Sequence, residues 1–163
     1  MSTLIGRFVA VVALLSATLL TSGGVGVAAP GSPLPAEDWR SRMNNKCLEI
    51  LSLDNSNGAH VGTWDCWGGA NQKWYWGNDG EIRSRMNNKC LEILSLNNAN
   101  GAHVGAWDCW GGANQKWYIG NDGEIRSRMN NKCLEILSLN NANGAHAGTW
   151  DCWGGANQKW YPF

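Results

Sequence analysis

The stretch CWGGANQKW occurs three times in the chain, at residues 66–74, 109–117 and 152–160. A second cysteine precedes the first residue of each stretch by 19 positions, and successive copies are 43 residues apart. The flanking sequence repeats with the same period, which divides this part of the chain into residues 37–82, 83–125 and 126–163, with the third copy shortened at its end. A strict internal repeat predicts three similar units that pack by similar contacts.

The first 29 residues differ in composition from the repeats. Arg7 is their only charged residue, and residues 8–20 form an apolar run of 13. This run is shorter than the roughly 20 residues that a membrane-spanning helix needs. Small residues follow it and end at Ala28 and Ala29, which is typical of a secretory signal peptide near its cleavage site. We therefore expect residues 1–29 to be a signal peptide that directs secretion and residues 30–36 to be a short linker.

The charge of the remaining chain excludes some classes of partner. It carries 12 Lys and Arg against 13 Asp and Glu once Arg7 is removed. A protein that binds nucleic acid or an anionic membrane surface usually has a basic patch or stripe, and this composition provides none. We expect no nucleic-acid partner and no membrane association after signal cleavage.

All six cysteines lie in the repeated part of the chain. An even number of cysteines in a secreted chain favours disulfides over a metal site or a reactive thiol. Six cysteines allow fifteen pairings, but a threefold repeat favours those that recur in every copy. The most local of these pairings joins Cys47–Cys66, Cys90–Cys109 and Cys133–Cys152.

The alternation of apolar and polar residues predicts strands and no helix. In the first copy the predicted strands are 46–51, 59–64 and 72–76, and the stretch IRSRM at 82–86 predicts the strand that opens the next copy. Turn-forming residues such as Asn57-Gly58 separate them. Four strands in each of three copies make twelve. Because one 43-residue unit cannot bury its apolar side alone, the copies must share a core.

A closed threefold arrangement explains the pattern better than an open one. A solenoid usually needs polar capping repeats, and a β-propeller normally has at least four blades. Trp39 occupies the place that Ile82 and Ile125 occupy in the later copies. The N-terminal segment therefore supplies the first strand of the ring, and the third copy can stop after KWYPF.

The repeated motifs resemble those of the ricin B-type β-trefoil lectins and of related actinobacterial carbohydrate-binding modules. Each copy has a Cys-Leu-acid run, an aromatic-x-Cys 17 to 19 residues further on, and then Asn-Gln-x-Trp. The resemblance covers residues 37–163. It implies an all-β fold, a β-trefoil with pseudo-threefold symmetry, in which a six-stranded barrel is capped by three hairpins. It also implies a core role for Trp74, Trp117 and Trp160 and a structural hydrogen-bonding role for Gln72, Gln115 and Gln158.

The resemblance also implies one shallow sugar site in each copy. The site residues are an acid after Cys-Leu, an aromatic two residues before the second cysteine, and the Asn of Asn-Gln. In the three copies these are Glu49, Trp64 and Asn71; Glu92, Trp107 and Asn114; and Glu135, Trp150 and Asn157. Strand alternation places the acid and the Trp on the outer face. An indole ring can stack on a pyranose while the carboxylate and the amide bind its hydroxyls.

Two positions depart from the family pattern. The acid is Glu where the family usually has Asp, and Gly62, Gly105 and Gly148 stand where a polar residue, often Gln, is usual. Our hypothesis is that the two changes compensate, and that a histidine on the same predicted face supplies a replacement hydrogen bond. The histidines concerned are His60, His103 and His146. We expect them to face outward on separate lobes, and so expect no metal site and no cofactor.

The role of a further set of tryptophans is left open by the sequence. Trp67, Trp110 and Trp153 follow the second cysteine of each copy and precede Gly-Gly. Stacking on a second sugar unit and packing over the disulfide both fit this position.

The sequence argues for a binding protein and against an enzyme. Strand alternation sends Asp65 to the opposite face from Trp64, whereas a glycosidase needs two carboxyl groups facing one cleft. We therefore predict a secreted, monomeric, non-catalytic lectin that binds a glycan or polysaccharide through up to three near-equivalent sites. The alternative is a β-trefoil protease inhibitor or protein-interaction module with degenerate sugar sites.

Overall fold

The computed structural model describes residues 37–163, and in this part of the chain all regular structure is short strands and single-turn 3₁₀ helices. The predicted signal peptide and linker lie outside the described residues. The strands are β1 (Glu37–Ser41), β2 (Cys47–Ile50), β3 (Ala59–Trp64), β4 (Lys73–Trp76), β5 (Ile82–Ser84), β6 (Cys90–Ile93), β7 (Ala102–Trp107), β8 (Trp117–Ile119), β9 (Ile125–Ser127), β10 (Cys133–Ile136), β11 (Ala145–Trp150) and β12 (Trp160–Pro162).

The predicted pattern of four strands per copy is confirmed, with ends shifted by one or two residues. The 3₁₀ helices are not predicted by the sequence pattern. They are Leu51–Leu53, Ala70–Gln72, Leu94–Leu96, Ala113–Gln115, Asn121–Gly123, Leu137–Leu139 and Ala156–Gln158.

Six strands close into a barrel. The hydrogen-bonded neighbours β12, β1, β4 and β5 form one part of the wall, and β8 pairs with β9. Two single bridges, Glu81 to Lys116 and Glu124 to Lys159, complete the ring. Every pairing is antiparallel, and closure removes the free sheet edges that an open arrangement would leave.

The strand register confirms the predicted role of Trp39. Trp39 pairs with Pro162, as Ile82 pairs with Trp76 in the next copy and as Ile125 pairs with Ile119. The first strand of the ring therefore comes from the N-terminal side of the first copy and closes on the last strand of the third.

Three hairpins cap the barrel. They are β2–β3, β6–β7 and β10–β11, and in each the whole of the first strand is paired with the second. The second strands of the hairpins also pair with one another in a cycle, β3 with β7, β7 with β11, and β11 with β3. The three longest strands, β3, β7 and β11, therefore meet around the pseudo-threefold axis.

The barrel and the cap enclose one hydrophobic core, to which all three copies contribute. Trp74, Trp117 and Trp160 are buried in it, as predicted. The indole N–H of Trp74 donates to the backbone oxygen of Leu48 at 2.9 Å, and the other two copies repeat this bond. Satisfying its polar atom is what allows so large a side chain to be fully buried.

The predicted disulfides are confirmed. Bonds join Cys47 to Cys66, Cys90 to Cys109 and Cys133 to Cys152. Each ties the start of the first strand of a hairpin to the loop that follows its second strand. In the chain-entropy model, closing a loop of this length stabilises the fold by about 3 kcal/mol.

No helix among the described residues has the length and apolar character needed to span a membrane.

Candidate functional site

A cleft lies beside the hairpin of the first copy, and another lies at the same place in the third. Each has an acid, a Ser-Leu pair, two tryptophans and an asparagine in its wall. In the first copy, with a volume of about 270 Å³, these are Glu49, Ser52, Leu53, Trp64, Trp67 and Asn71. In the third, of about 380 Å³, they are Glu135, Ser138, Leu139, Trp150, Trp153 and Asn157.

Trp64 forms one wall of the first cleft. It is the last residue of β3 and is 42% exposed, in agreement with its predicted outward direction. A turn from the third copy stands behind it, since a Cβ built on Gly144 would lie 3.6 Å from Cζ3 of the Trp64 ring. Trp107 and Trp150 are supported in the same way by Gly58 and Gly101. Each of these tryptophan rings therefore lies next to a turn of a neighbouring copy.

Glu49 lies at the base of the cleft and is only 4% exposed. Its Oε2 accepts a hydrogen bond from Nε2 of Gln72 at 2.8 Å and a longer one from Nε1 of Trp67 at 3.4 Å. Although the strand pattern directs this side chain outward, the loop after Cys66 covers it. Hydrogen bonds to a carboxylate offset part of the cost of burying its charge.

Gln72 orients both the acid and the loop that covers it. Its Oε1 accepts from the backbone N–H groups of Trp67 and Gly68, and its Nε2 also donates to the backbone oxygen of Asp65. The side chain is fully buried. The predicted structural role of this glutamine is confirmed, and the bonds recur around Gln115 and Gln158.

Trp67 forms the second wall and is 58% exposed. Its ring lies over Gly69, where an added Cβ would come within 2.1 Å of Cη2. Only glycine leaves room for this ring position. The structure therefore places Trp67 against the backbone of its own loop with one edge toward Glu49, so that the indole borders the cleft.

Asn71 lies beneath the cleft and is almost fully buried. Its Nδ2 donates to the backbone oxygen of Ile50 at 3.0 Å, which ties the loop to the end of β2. Its Oδ1 is buried and has no hydrogen-bond partner in the described part of the chain. The same holds for Asn114 and Asn157, so each copy has one buried amide oxygen without a partner.

A family model, the ricin-type beta-trefoil lectin domain, matches residues 38–160. The chain belongs to this family. Domains of the family are generally non-catalytic, and membership supports carbohydrate binding.

Solved structures share the fold of this lectin domain. The designed 3-fold symmetric protein ThreeFoil is 27% identical, with a TM-score of 0.74 over 78% of this chain and 96% of that one. The C-half of an earthworm R-type lectin, in complex with GalNAc, is 24% identical, with a TM-score of 0.69 over 78% and 97% of the two chains. The agglutinin from Abrus precatorius is 22% identical, with a TM-score of 0.72 over 84% of this chain and 51% of the agglutinin.

The histidines of the lectin domain do not line the two clefts. His60 and His103 are exposed, as predicted, but the prediction that the three histidines lie on separate lobes is wrong. The imidazole rings of His60, His103 and His146 contact one another, with centroids 4.7 to 5.3 Å apart. The physical reason is the cyclic pairing of β3, β7 and β11, which alternation within one strand does not reveal. Partial burial, and then the His60 imidazole, lower the pKa of both His103 and His146.

The glycines that depart from the family pattern also belong to this axis. Gly62 pairs with His146, and a Cβ built on it would lie 2.4 Å from the backbone oxygen of Ala145. Close approach of two backbones, and not extra room beside Trp64, requires glycine here. The hypothesis that Glu, Gly and His compensate for one another within one sugar site is therefore wrong in its histidine part.

Two residues that line the cleft are not predicted by the sequence. Ser52 and Leu53 both adopt left-handed backbone conformations, with φ of 57° and 54°, and Leu53 is exposed. A left-handed conformation costs about 1–2 kcal/mol for a residue with a side chain. The sequence feature that could have indicated these cleft residues is a leucine at the start of a polar loop, which recurs as Leu53, Leu96 and Leu139.

A cyclic set of polar contacts joins each copy to the next. In the first, Asn143 of the third copy accepts from Nζ of Lys46 at 2.6 Å and donates to Oδ2 of Asp65 at 2.9 Å. Hydrogen bonds from Lys46 and then Asn143 hold the pKa of Asp65 below its ordinary value. We call this group the Asn interlock. The other two interlocks are Asn57 with Lys89 and Asp108, and Asn100 with Lys132 and Asp151.

Proposed function

We propose that the chain is a secreted, non-catalytic lectin that binds a glycan or polysaccharide through up to three near-equivalent clefts. The observation that carries the proposal is the pairing, in every copy, of two exposed indole rings with a buried, oriented carboxylate. Sugar-binding sites combine aromatic surface with a few fixed polar groups.

Each group has a proposed role toward one bound pyranose. The Trp64 ring stacks on the C–H face of the sugar, and the Glu49 carboxylate accepts hydrogen bonds from adjacent hydroxyls. The free Oδ1 of Asn71 accepts from a further hydroxyl at the base of the cleft. Trp67 extends the stacking surface toward a second sugar unit. The second and third copies use Glu92, Trp107 and Asn114, and Glu135, Trp150 and Asn157. The histidines have no part in this proposal.

A catalytic role is not proposed because Glu49 is the one carboxylate among the residues that line the first cleft. Glu49 is held by Gln72, whereas Asp65 is an exposed member of an Asn interlock and does not line the cleft. Glycoside hydrolysis needs two carboxyl groups about 5 to 10 Å apart on either side of the bond that is cleaved.

Secretion is proposed from two features of the chain. Residues 1–29 have the composition of a signal peptide, and the six cysteines form three disulfides, which are consistent with an extracellular location. The domain is proposed to act as a monomer whose clefts act together.

The first experiment identifies the sugar. A glycan array is probed with the disulfide-bonded protein, and GalNAc is included because the earthworm lectin half was solved with it. Calorimetry with the best monosaccharide should then give up to three equivalent sites per chain. Absence of any glycan ligand would overturn the proposal and favour the protein-interaction alternative.

The second experiment tests the site assignment with a matched control. Because several weak sites on one body raise avidity by about 10²- to 10⁴-fold, Trp64→Ala should cost little on a polysaccharide. The triple variant Trp64→Ala, Trp107→Ala, Trp150→Ala should lose that avidity entirely. The control is Trp76→Ile, which introduces the residue that the second copy already has as Ile119. Binding retained by the triple variant would show that the site is elsewhere.

A further inference from the structure

The three histidines form a cluster at the centre of the cap. One imidazole comes from each copy, and the ring centroids are 5.3, 4.7 and 5.0 Å apart. The rings meet edge to face, with interplanar angles of 74°, 84° and 80°. These are all the histidines in the chain. Their arrangement follows the threefold symmetry of the fold.

The backbones of the strands that carry the histidines approach one another closely. In the cyclic pairing of β3, β7 and β11, each histidine stands opposite a glycine of the neighbouring copy: His60 opposite Gly105, His103 opposite Gly148, and His146 opposite Gly62. A Cβ built on any of these glycines would lie 2.4 to 2.8 Å from a backbone oxygen of the paired strand. The strands can therefore come close enough for all three imidazoles to converge.

The ligand atoms are near the spacing that a metal ion requires. One ring nitrogen from each histidine lies within 4.8 Å of the other two. Tetrahedral zinc with Zn–N bonds of 2.0–2.1 Å needs nitrogens about 3.3 Å apart. The nitrogens are therefore at most about 1.5 Å further apart than zinc requires, and small rotations of the side chains would remove this difference.

One of the ligand residues also has a buried nitrogen without a partner. Nδ1 of His146 is inaccessible to solvent and makes no hydrogen bond in the described part of the chain. Buried polar atoms are nearly always paired in folded proteins, so an orphan of this kind points to a group that binds there. His60 and His103 are exposed, which leaves one side of the cluster open to solvent.

We propose that the histidine cluster binds one divalent transition-metal ion, zinc by preference, through three imidazole nitrogens with water in the fourth position. Imidazole suits zinc, copper, nickel and cobalt, whereas calcium and magnesium require oxygen ligands that this cluster lacks. The ion links the three copies at the axis and stabilises the folded state by mass action. The site is separate from the clefts, so metal binding does not depend on the lectin function.

The test uses the purified protein with its disulfides intact, after treatment with a chelator. Titration with ZnCl₂ in a calorimeter should give one site per chain, and zinc should raise the melting temperature, whereas CaCl₂ should do neither. CoCl₂ should give the visible absorption of a four-coordinate imidazole complex, and this absorption should disappear when zinc is added.

Two variants assign the site and one variant controls for surface binding. His103→Gln and His60→Gln, each at an exposed position, should weaken zinc binding at least about tenfold, because even the loss of an outer-shell partner of a ligand typically costs about 10- to 100-fold in affinity. Asp54→Asn removes an exposed carboxylate and introduces the residue of the other copies, Asn97 and Asn140, so it should bind zinc normally. The proposal is overturned if the unmodified protein does not bind zinc, or if both histidine variants bind it unchanged.

Discussion

Thr63 and Thr149 are fully buried at equivalent positions, and the hydroxyl of each lacks a hydrogen-bond partner in the described part of the chain. The second copy has Ala106 at this position, also buried. A buried hydroxyl without a partner costs about 1–3 kcal/mol of desolvation free energy. The near-identical copies therefore provide an internal comparison for single residues.

Replacing Thr63 by Val keeps the shape of the side chain and removes the unpaired hydroxyl. We expect Thr63→Val to raise the free energy of unfolding by about 1 kcal/mol. The measurement is denaturant unfolding with the disulfides intact, and the reverse change Val104→Thr, at another buried strand position, should be destabilising. A less stable Thr63→Val protein would mean that the hydroxyl is paired in solution.

Several residue roles could be predicted from the sequence because they depend on contacts within a single copy. The roles of Trp74 and Gln72 are implied by the resemblance to the lectin family, and the exposure of Trp64 follows from its place at the end of an alternating strand. The position of His60 could not be predicted in this way. Alternation assigns a face within one strand, but the contact with His103 and His146 depends on pairing between strands of different copies.

At the level of elements, the turn of one hairpin supports the site of the next copy. Asn143 and Gly144 form the Asn-Gly turn before β11. Asn143 bonds to Asp65 of the first copy, and a Cβ on Gly144 would be in van der Waals contact with the Trp64 ring. The Asn-Gly signal in the sequence predicts the turn, but not what the turn touches.

We expect Asn143→Ala to affect the first cleft only. Loss of the Asn interlock leaves the Trp64 wall less firmly held, so calorimetry should show one weakened site and two unchanged ones. The interlock is exposed and should contribute little to global stability, which is measured by thermal unfolding. Equal weakening of all three clefts, or none, would contradict this coupling between copies.

The strands could be predicted to within one or two residues because their apolar positions alternate. The 3₁₀ turns could not, since Leu51–Leu53 includes consecutive left-handed residues that no local preference favours. Contacts between the turn and β3 outweigh the conformational cost there. Leu53, which lines the cleft, therefore has a backbone conformation that local sequence preferences do not predict.

At the level of the whole molecule, the two ends of the described chain meet. Phe163 donates its backbone N–H to the oxygen of Asp38 at 2.9 Å, as Gly77 does to Glu81 and Gly120 does to Glu124 within the continuous chain. The junction between β12 and β1 is therefore equivalent to the β4–β5 and β8–β9 connections. The predicted closure of the ring rested on the place of Trp39, which the register confirms.

A circular permutant should fold. Residue 163 is joined to residue 37 through Asn-Asp, and the chain is opened between the exposed Asn78 and Asp79. We expect three disulfides, a melting temperature within a few degrees of the parent domain, and the same number of sugar sites, since chain connectivity changes at equivalent loops only.

The control permutant is opened between Gly62 and Thr63, inside the strand cycle at the axis. It should fail to fold because the cut removes contacts that all three copies share. If the two permutants folded equally well, the strand pairing at the axis would not be required for folding.

The pairing of β1 with β12 also determines when folding can be completed. The strand that closes the barrel, β12, is synthesised after β1 and after β4, so a growing chain that already contains the first two copies still has one unpaired edge on β1. During that interval β1 can meet β4 but not its second partner. The barrel can therefore close only after β12 has been synthesised, and until then the register of β1 with β12 is not fixed.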